Sequence, residues 1–156
     1  MAARVKQASR ELARKNTAEK DQALRAIAEE ISLNKQLLRE ANELDLAAAR
    51  EKGLSAAFID RLTLTDKRMD GLIQVLNDVI GLKDPCGEIF NMNSLPNGLK
   101  VGQMRVPIGV LAIIFESRPN VCIEVASLTI KSGNGVILRG GSDAIHSNLC
   151  LTRLIR

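Results

Sequence analysis

The chain has 156 residues, 46% of them hydrophobic and 26% charged, which is the composition of a folded protein and excludes a disordered one. Its net charge is +4, but the 22 basic residues are interspersed with 18 acidic ones and only 2% of residues are aromatic, which argues against a nucleic-acid partner. No run of about 20 apolar residues and no signal-peptide pattern occurs, so the sequence predicts neither a membrane span nor secretion.

The chain begins with a segment whose apolar residues recur at helical spacings. A first helix is predicted over Ala2–Arg14, with Val5, Ala8 and Leu12 facing a core. The basic start of this helix resembles a mitochondrial transit peptide, but the core-facing stripe favours a structural helix and a cytoplasmic protein. Asn16 and Glu19 have the spacing of a capping box, and they predict the start of a second helix. Its inward stripe comprises Leu24, Ile27, Ala28 and Ile31.

Two further helices and a short helical turn complete this segment. A third helix is predicted over Lys35–Glu51 and ends at Gly53. Its predicted inward residues are Leu38, Ala41, Leu44 and Ala48. A short turn over Leu54–Leu62 follows, and Thr65 caps a fourth helix that Gly81 closes. The inward residues of that helix are Met69, Leu72, Ile73, Leu76 and Ile80. The polar residues are predicted to be solvated, with Asn42 and Asp45 as local hydrogen-bonding groups.

Lys83–Gly87 is a turn that marks the change to extended structure. The runs GEIFNMN and LKVGQMRV flank Asn97-Gly98, a strong reverse-turn signal, so they predict an antiparallel hairpin. A two-stranded hairpin is marginal in water and has few large apolar residues of its own. It therefore needs another surface, which is either its own domain or another subunit.

The stretch after the hairpin predicts a strand-helix-strand crossover. Ile108–Phe115 and Gly135–Leu138 are short runs rich in Val and Ile, and they predict parallel strands buried on both faces. Asn120 is the predicted N-cap of the helix between them, and Gly133 is its C-terminal stop. The predicted inward residues of this helix are Val121, Val125 and Leu128, and Ile123 and Ile130 are further candidates at helical spacings. The crossover places residues 116–120 and 139–142 at one sheet edge, where ligands of such folds bind.

The cysteines and the single histidine carry weaker signals. Cys86, Cys122 and Cys150 have neither CxxC spacing nor a paired framework, so we expect a reducing compartment and no disulfide or metal site. Cys122 falls in the first turn of a predicted helix, where a thiol pKa can be lowered, although a small packing residue is the simpler interpretation. His146 lies near the start of a last helix beginning around Asp143, and we expect it at the surface.

Three motifs at this edge, PIGVLAIIFESRPNV, KSGNGVILRGG and AIHSN, closely resemble the gamma-glutamyl phosphate reductase family of the aldehyde dehydrogenase superfamily. The upstream runs ANELDLAAAREKGLSAAFIDRLTLT and PNGLKVGQMRVPIGV resemble the same family in order and spacing. The resemblance implies an α/β, aldehyde dehydrogenase-like fold, truncated to an amino-terminal fragment. Residues 1–84 would be the helical part of the cofactor domain, 85–106 a hairpin arm for oligomerisation, and 107–156 the start of a Rossmann-like cofactor-binding sheet.

The family activity implied is the NADPH-dependent reduction of L-glutamate 5-phosphate to L-glutamate 5-semialdehyde and phosphate, in proline biosynthesis. The family's catalytic cysteine lies downstream of Arg156, so the resemblance implies a partial and inactive enzyme. The alternative is a non-catalytic folding or association module. A homo-oligomer is expected of the whole enzyme, and a glutamate 5-kinase is a candidate partner. A bifunctional chain with an amino-terminal kinase is disfavoured because the first helix begins directly after Met1.

The resemblance also implies roles for residues at the sheet edge. Asn120 would stabilise an oxyanion in catalysis, although capping of its own helix is the plain alternative. Arg118 would contact the substrate, unless Glu116 simply pairs with it. Cofactor-binding residues would be Arg139, Gly140, Gly141 and Ser142. An arginine at position 139 favours the 2′-phosphate of NADP. There is no GxGxxG motif, and Asp143 would repel a pyrophosphate at the helix start.

Overall fold

The computed structural model describes residues 1–156 and shows seven α-helices and four β-strands. The helices are α1 (Ala2–Leu12), α2 (Thr17–Leu33), α3 (Lys35–Glu51), α4 (Ala56–Leu62), α5 (Asp66–Gly81), α6 (Asn120–Lys131) and α7 (Ile145–Ile155). The strands are β1 (Ile89–Ser94), β2 (Lys100–Met104), β3 (Val110–Ile114) and β4 (Gly135–Arg139), and a 3-10 turn over Ser142–Ala144 precedes α7. No helix combines the length and the apolar character needed to cross a membrane.

The predicted capping signals are confirmed in the helical segment. The Asn16 side chain accepts a hydrogen bond from the Glu19 amide while the Glu19 carboxylate accepts one from the Asn16 amide, which completes the capping box of α2. Thr65 caps α5 by accepting from the Arg68 amide. Gly53 has φ +67°, the left-handed conformation that ends α3. These helices start and stop where short-range hydrogen bonding dictates.

The main core lies between α2, α5, α6 and α7. Its fully buried side chains include Leu24, Ile31, Met69, Leu76, Ile123 and Leu151. A smaller cluster lies between α3, α4 and the 3-10 turn before α7, and it contains Leu46, Ala49, Leu62 and Ala144. The helical residues therefore pack in two clusters, the larger of which includes the crossover helix and the last helix.

The predicted inward face of α3 is partly wrong. Leu44 is 58% exposed and Ala48 is exposed, while Asn42 and Asp45 are each 2% exposed. The Asn42 amide donates to the carbonyl of Leu62 and to Ser147 Oγ, and its oxygen accepts from the Leu64 amide. The Asp45 carboxylate accepts from the backbone amides of His146 and Ser147. These long-range bonds satisfy the two polar side chains. The buried face of α3 therefore includes Asn42 and Asp45, and the predicted inward residues Leu44 and Ala48 lie on the exposed face.

Two lysines are buried at the ends of the helical layer, and each meets an aspartate. Lys20 is 1% exposed, and its ammonium donates to Asp84 Oδ2 over 2.9 Å. Lys131 is 3% exposed, and it donates to Asp21 over 2.7 Å and to the carbonyl of Ile80 over 3.0 Å. These pairs fasten α2 to the segment after α5 and to the end of α6.

The hairpin is confirmed, and it lies outside the core. β1 and β2 pair antiparallel, with a bulge between Phe90 and Asn93 and with Gly98 at φ +83° in the turn. Every residue of the two strands is exposed except Phe90, which is half-buried under the guanidinium of Arg105 at 5.4 Å. The hairpin therefore does not pack on its own domain.

The crossover is confirmed as parallel, with Val110 opposite Gly135 and Ile114 opposite Arg139. The first strand begins two residues later than predicted because Gly109 takes φ +115°, which leaves Ile108 outside the ladder. Asn134 fixes this start, since its oxygen accepts from the Gly109 amide over 2.7 Å. Gly133 ends α6 with φ +70°, as predicted.

Burial of both strand faces was predicted, and it is wrong for this chain. No residue of β3 or β4 is fully buried, and Ile114 is 76% exposed. α1 lies close on one face, since a side chain at Gly135 would collide with Val5 and Ser9. Ala8, predicted to face the core, is exposed instead, and Ser9 is buried in its place. A two-stranded sheet has two edges and no further strand to cover them.

Candidate functional site

The turn after β3 leads directly into α6 and positions Arg118 and Asn120. The predicted role of Asn120 as N-cap is wrong, because Pro119 already has helical torsions and occupies the cap position. Asn120 is the first helical residue, and its side chain makes no capping bond. Its amide nitrogen instead donates to Glu124 Oε1 over 2.7 Å. The face of α6 differs in part from the prediction, because Leu128 is 53% exposed whereas Cys122 and Ala126 are buried, while the candidate Ile123 is buried as predicted.

Arg118 is exposed, and its guanidinium forms no ion pair. The alternative of a Glu116–Arg118 pair is not observed; the two residues share only a backbone hydrogen bond of 2.8 Å. Arg118, Asn120 and Glu124 together line one wall of a cleft of about 770 Å³. The structure thus brings the predicted substrate residue and the predicted oxyanion residue to one cavity.

The remaining lining of this cleft was missed by sequence reasoning. It is formed by the end of α4, the connection to α5 and the first turns of α5, for which the sequence predicted a helix cap, core-facing apolar residues and solvated polar residues, but no site. Its lining residues are Asp60, Arg61, Thr63, Leu64, Thr65, Lys67, Arg68, Gly71, Leu72 and Val75. Only tertiary packing brings them near Asn120, so no local signal could have found them. Glu124, by contrast, lies one helical turn from Asn120, and that spacing was available in the sequence.

The segment Arg139–Ser142 lies at the end of the neighbouring strand, as predicted, but it does not line this cleft. The two loops touch where Gly141 faces Ser117, and a Cβ at Gly141 would lie 2.7 Å from Ser117 Oγ. A Cβ at Gly140 would collide with Asn148 and with the ring of Phe115. These glycines are therefore required by close packing within the chain itself. Ser142 is exposed at the start of the 3-10 turn.

Arg139 and Asp143 are the two charged residues that set the local charge where β4 ends. Arg139 is exposed and forms no ion pair, so its guanidinium is available to an anionic ligand. The Asp143 carboxylate lies 2.7 Å from Lys52 Nζ, which offsets the negative charge predicted to repel a pyrophosphate. The unpaired Arg139 guanidinium and the neutralised Asp143 carboxylate leave this edge open to an anionic ligand. No group of three or more His, Cys, Asp or Glu side chains is arranged to hold a metal ion.

None of the three cysteines has the environment of an activated nucleophile. Cys122 is 2% exposed, and burial raises its pKa to about 11. Burial also raises the pKa of Cys150 and of Cys86. The Cys122 thiol donates to Asn148 Oδ1 over 3.3 Å, and the Cys86 thiol donates to the carbonyl of Ser132. The packing interpretation of Cys122 is confirmed. His146 is exposed, as predicted.

Known proteins match the chain in sequence and in fold, although no family model matches it. A gamma-glutamyl phosphate reductase from Aquifex aeolicus is 52% identical over 98% of this chain, which corresponds to 35% of that protein. The crystal structure of gamma-glutamyl phosphate reductase from Thermotoga maritima superposes with a TM-score of 0.96 at 44% identity, over 99% of this chain and 37% of that one. The yeast counterpart gives a TM-score of 0.94 at 33% identity, over 99% of this chain and 39% of that one.

More distant structures share the fold alone. An aldehyde dehydrogenase-type structure from Bacillus subtilis has a TM-score of 0.70 at 16% identity. The predicted aldehyde dehydrogenase-like α/β fold is confirmed by these superpositions. The chain spans about a third of the length of the relatives it matches. Over that third, the 156 residues are similar in sequence and in fold to gamma-glutamyl phosphate reductases, and they share the fold of aldehyde dehydrogenase structures.

Proposed function

We propose that these residues form the oxyanion side and part of the cofactor side of an enzyme that reduces L-glutamate 5-phosphate to L-glutamate 5-semialdehyde with NADPH and releases phosphate, in proline biosynthesis. The observation that carries the proposal is that Arg118 and Asn120 line one cleft within a fold that superposes on the Thermotoga reductase with a TM-score of 0.96.

The proposed reaction is an acyl transfer followed by a reduction. A cysteine thiolate takes the glutamyl group from phosphate to form a thioester, and hydride addition then releases the aldehyde. Asn120 would donate its amide to the oxygen that gains charge, and Arg118 would hold the anionic substrate. We infer that the thiolate comes from outside these residues, because none of the three cysteines lines the cleft of Arg118 and Asn120, and Cys122 and Cys150 are buried.

NADPH would supply the hydride when bound. Arg139 would meet the 2′-phosphate of the cofactor, and Gly140, Gly141 and Ser142 would present backbone and hydroxyl groups beside it. The exposure of Arg139 and its lack of an ion pair support this assignment.

The hairpin supports a proposal about assembly. Its strands are exposed on both faces and carry Ile89, Met92, Val101 and Met104, each about half-exposed. We therefore infer that residues 85–106 form an arm that another subunit covers in a homo-oligomer, while residues 1–84 and 107–156 belong to the cofactor domain. Glutamate 5-kinase, which would supply the substrate, is the proposed protein partner, and the cytoplasm is the proposed location.

A chimaera tests the activity. Residues 1–156 are joined to the remaining part of the Thermotoga reductase, and phosphate-dependent oxidation of glutamate 5-semialdehyde with NADP is measured. We expect turnover in the chimaera and none in the 156-residue chain. A folded but inactive chimaera would favour a role in folding or association only. Turnover by the 156-residue chain that disappears in Cys122→Ala would overturn the placement of the nucleophile.

A further inference from the structure

The cleft beside Asn120 has an unequal distribution of charge. Its lining includes four cationic side chains, Arg61, Lys67, Arg68 and Arg118, against two carboxylates, Asp60 and Glu124. Because the walls are protein and the field of the charges is concentrated in the cleft, an excess of cations there attracts anionic ligands.

Both carboxylates and one of the cations are already occupied. The Arg68 guanidinium donates to both carboxylate oxygens of Asp60, each over 3.0 Å, and to the carbonyl of Thr63 over 2.9 Å. The Glu124 carboxylate accepts from Asn120. Arg68 therefore stabilises the connection between α4 and α5, and its charge is paired with Asp60.

The other three cations have no carboxylate partner. Arg61 is oriented by one bond, of 3.2 Å, from its Nε to the carbonyl of Ala57, and by its position 5.9 Å over the ring of Phe58. These contacts leave the two terminal nitrogens of Arg61 free. Lys67, in the first turn of α5, makes no side-chain hydrogen bond or ion pair. Arg61 and Lys67 are thus two available cations, from α4 and α5, in the cleft that Arg118 and Asn120 also line, and Arg61 shares a second, small cavity with Arg118.

We propose that Arg61 and Lys67 form a carboxylate-binding subsite that takes the end of the substrate remote from the reacting carbon. The inference rests on the proposed function, which places the acyl phosphate beside Asn120 and Arg118. An amino-acid substrate then directs its α-carboxylate to the available cations of α4 and α5 in the same cleft. A guanidinium fork and an ammonium together satisfy a carboxylate, and an aldehyde without one leaves both cations unpaired. The pair selects acidic substrates over simple aldehydes.

Competitive labelling of the 156-residue chain tests the subsite without any need for turnover. Lysines are acetylated slowly by a succinimidyl ester, and the rate at each site is measured by mass spectrometry with increasing glutarate, which has no amine to consume the ester. One carboxylate of glutarate stands in for the acyl phosphate and the other for the α-carboxylate of the substrate. We expect saturable protection of Lys67 and none of Lys100, an exposed hairpin lysine without an ion pair. In Arg61→Ala, the concentration for half-protection should rise by about tenfold, the loss expected for one charge-assisted bond, whereas Arg61→Lys should keep much of the protection.

Other outcomes would reject the subsite. The subsite is rejected if the acetylation of Lys67 and Lys100 slows equally. It is also rejected if sodium chloride at matched ionic strength slows the acetylation of Lys67 as much as glutarate does. A half-protection concentration that is unchanged in Arg61→Ala would reject it as well. The result is separable from the test of activity. An inactive chimaera with a protected Lys67 would refute the proposed reaction and leave a carboxylate site, while an active chimaera with an unprotected Lys67 would refute the subsite alone.

Discussion

The side-chain amide nitrogen of Asn120 lies 2.7 Å from Glu124 Oε1, one helical turn further along α6. Because one amide hydrogen is held by Glu124, the plane of the amide is fixed, and the second hydrogen remains available to a ligand in the cleft. A charged acceptor makes this a stronger tether than a neutral one. Glu124 thus acts as a positioning residue for the proposed oxyanion donor.

The first prediction concerns this pair in the chimaera. Asn120→Ala should lower kcat by about a hundredfold to a thousandfold, the usual cost of removing one oxyanion donor. Glu124→Ala should lower kcat by roughly tenfold with little change in KM, since it frees the amide without removing it. Glu124→Gln keeps an acceptor and should recover most of the loss. A Glu124→Ala effect confined to KM would contradict the positioning role.

The second prediction concerns cofactor choice. In the chimaera, Arg139→Ala should reduce kcat/KM for NADPH at least about tenfold more than for NADH, because a charge-assisted contact to the 2′-phosphate is lost. Arg10→Ala, which removes an equivalent exposed charge from α1, serves as the control and should change neither value. Equal losses with both cofactors would reject a phosphate contact by Arg139.

The third prediction concerns alkaline pH. Burial raises the pKa of Cys122 from 9.0 to about 11, so the folded chain holds this proton more tightly than the unfolded chain does. The resulting stability is fully present below pH 9.0 and is lost as the pH rises towards 11, by about 2 to 3 kcal/mol. Urea unfolding of Cys122→Ala should therefore show a shallower decline over this interval. Parallel declines in the two proteins would show that the thiol does not titrate in the folded state.

The fourth prediction concerns the buried pair of Lys20 and Asp84. Asp84→Ala leaves the ammonium of Lys20 buried without its partner and should lower the free energy of unfolding by about 3 to 5 kcal/mol. Glu43→Ala breaks an exposed pair with Arg50 of 2.6 Å and should cost no more than about 1 kcal/mol. Denaturant unfolding of both variants gives the comparison. Similar small losses would show that water reaches Lys20.

The fifth prediction concerns the open sheet. Ile108 and Ile114 are 78% and 76% exposed, and the strand residues Val110, Ile113, Ile137 and Leu138 are only half-buried. The 156-residue chain should show helical circular dichroism, bind a hydrophobic dye strongly and associate at micromolar concentration. Ile114→Lys should weaken both dye binding and association. A sharply unfolding monomer with little dye binding would mean that the chain closes its own core.

Much of the fold was predictable because its signals are local. The capping box of Asn16 and Glu19, the bounds of α3, the hairpin around Asn97-Gly98 and the stop at Gly133 each depend on residues a few positions apart. The same is true of the placement of Arg118 and Asn120 in the turn after β3. Hydrogen bonding and backbone torsions decide such features before the chain packs.

The errors arose where distant partners decide the outcome. Asp45 is buried because its carboxylate accepts hydrogen bonds from backbone amides 101 and 102 positions further along the chain. No pattern of residues within α3 predicts these partners. Asn120 lost its predicted cap role because Pro119 begins the helix first. Lys67 reaches the cleft through the packing of α5 on α6, and Arg61 reaches it from α4, which packs on α3. The half of the site on α6 was therefore visible in the sequence, and the half on α4 and α5 was not.

The bonds from Asp45 to the start of α7 also constrain the order of folding. The β3–α6–β4 unit is assembled from neighbouring segments. The Asp45 contacts instead close a loop of about a hundred residues, and the chain loses the entropy of closing that loop before these contacts can stabilise it. Contacts of such long sequence separation slow a folding reaction. α7 is thus expected to dock late, on a helical layer already formed, and a newly made chain would expose the Asp45 carboxylate until the start of α7 has been synthesised.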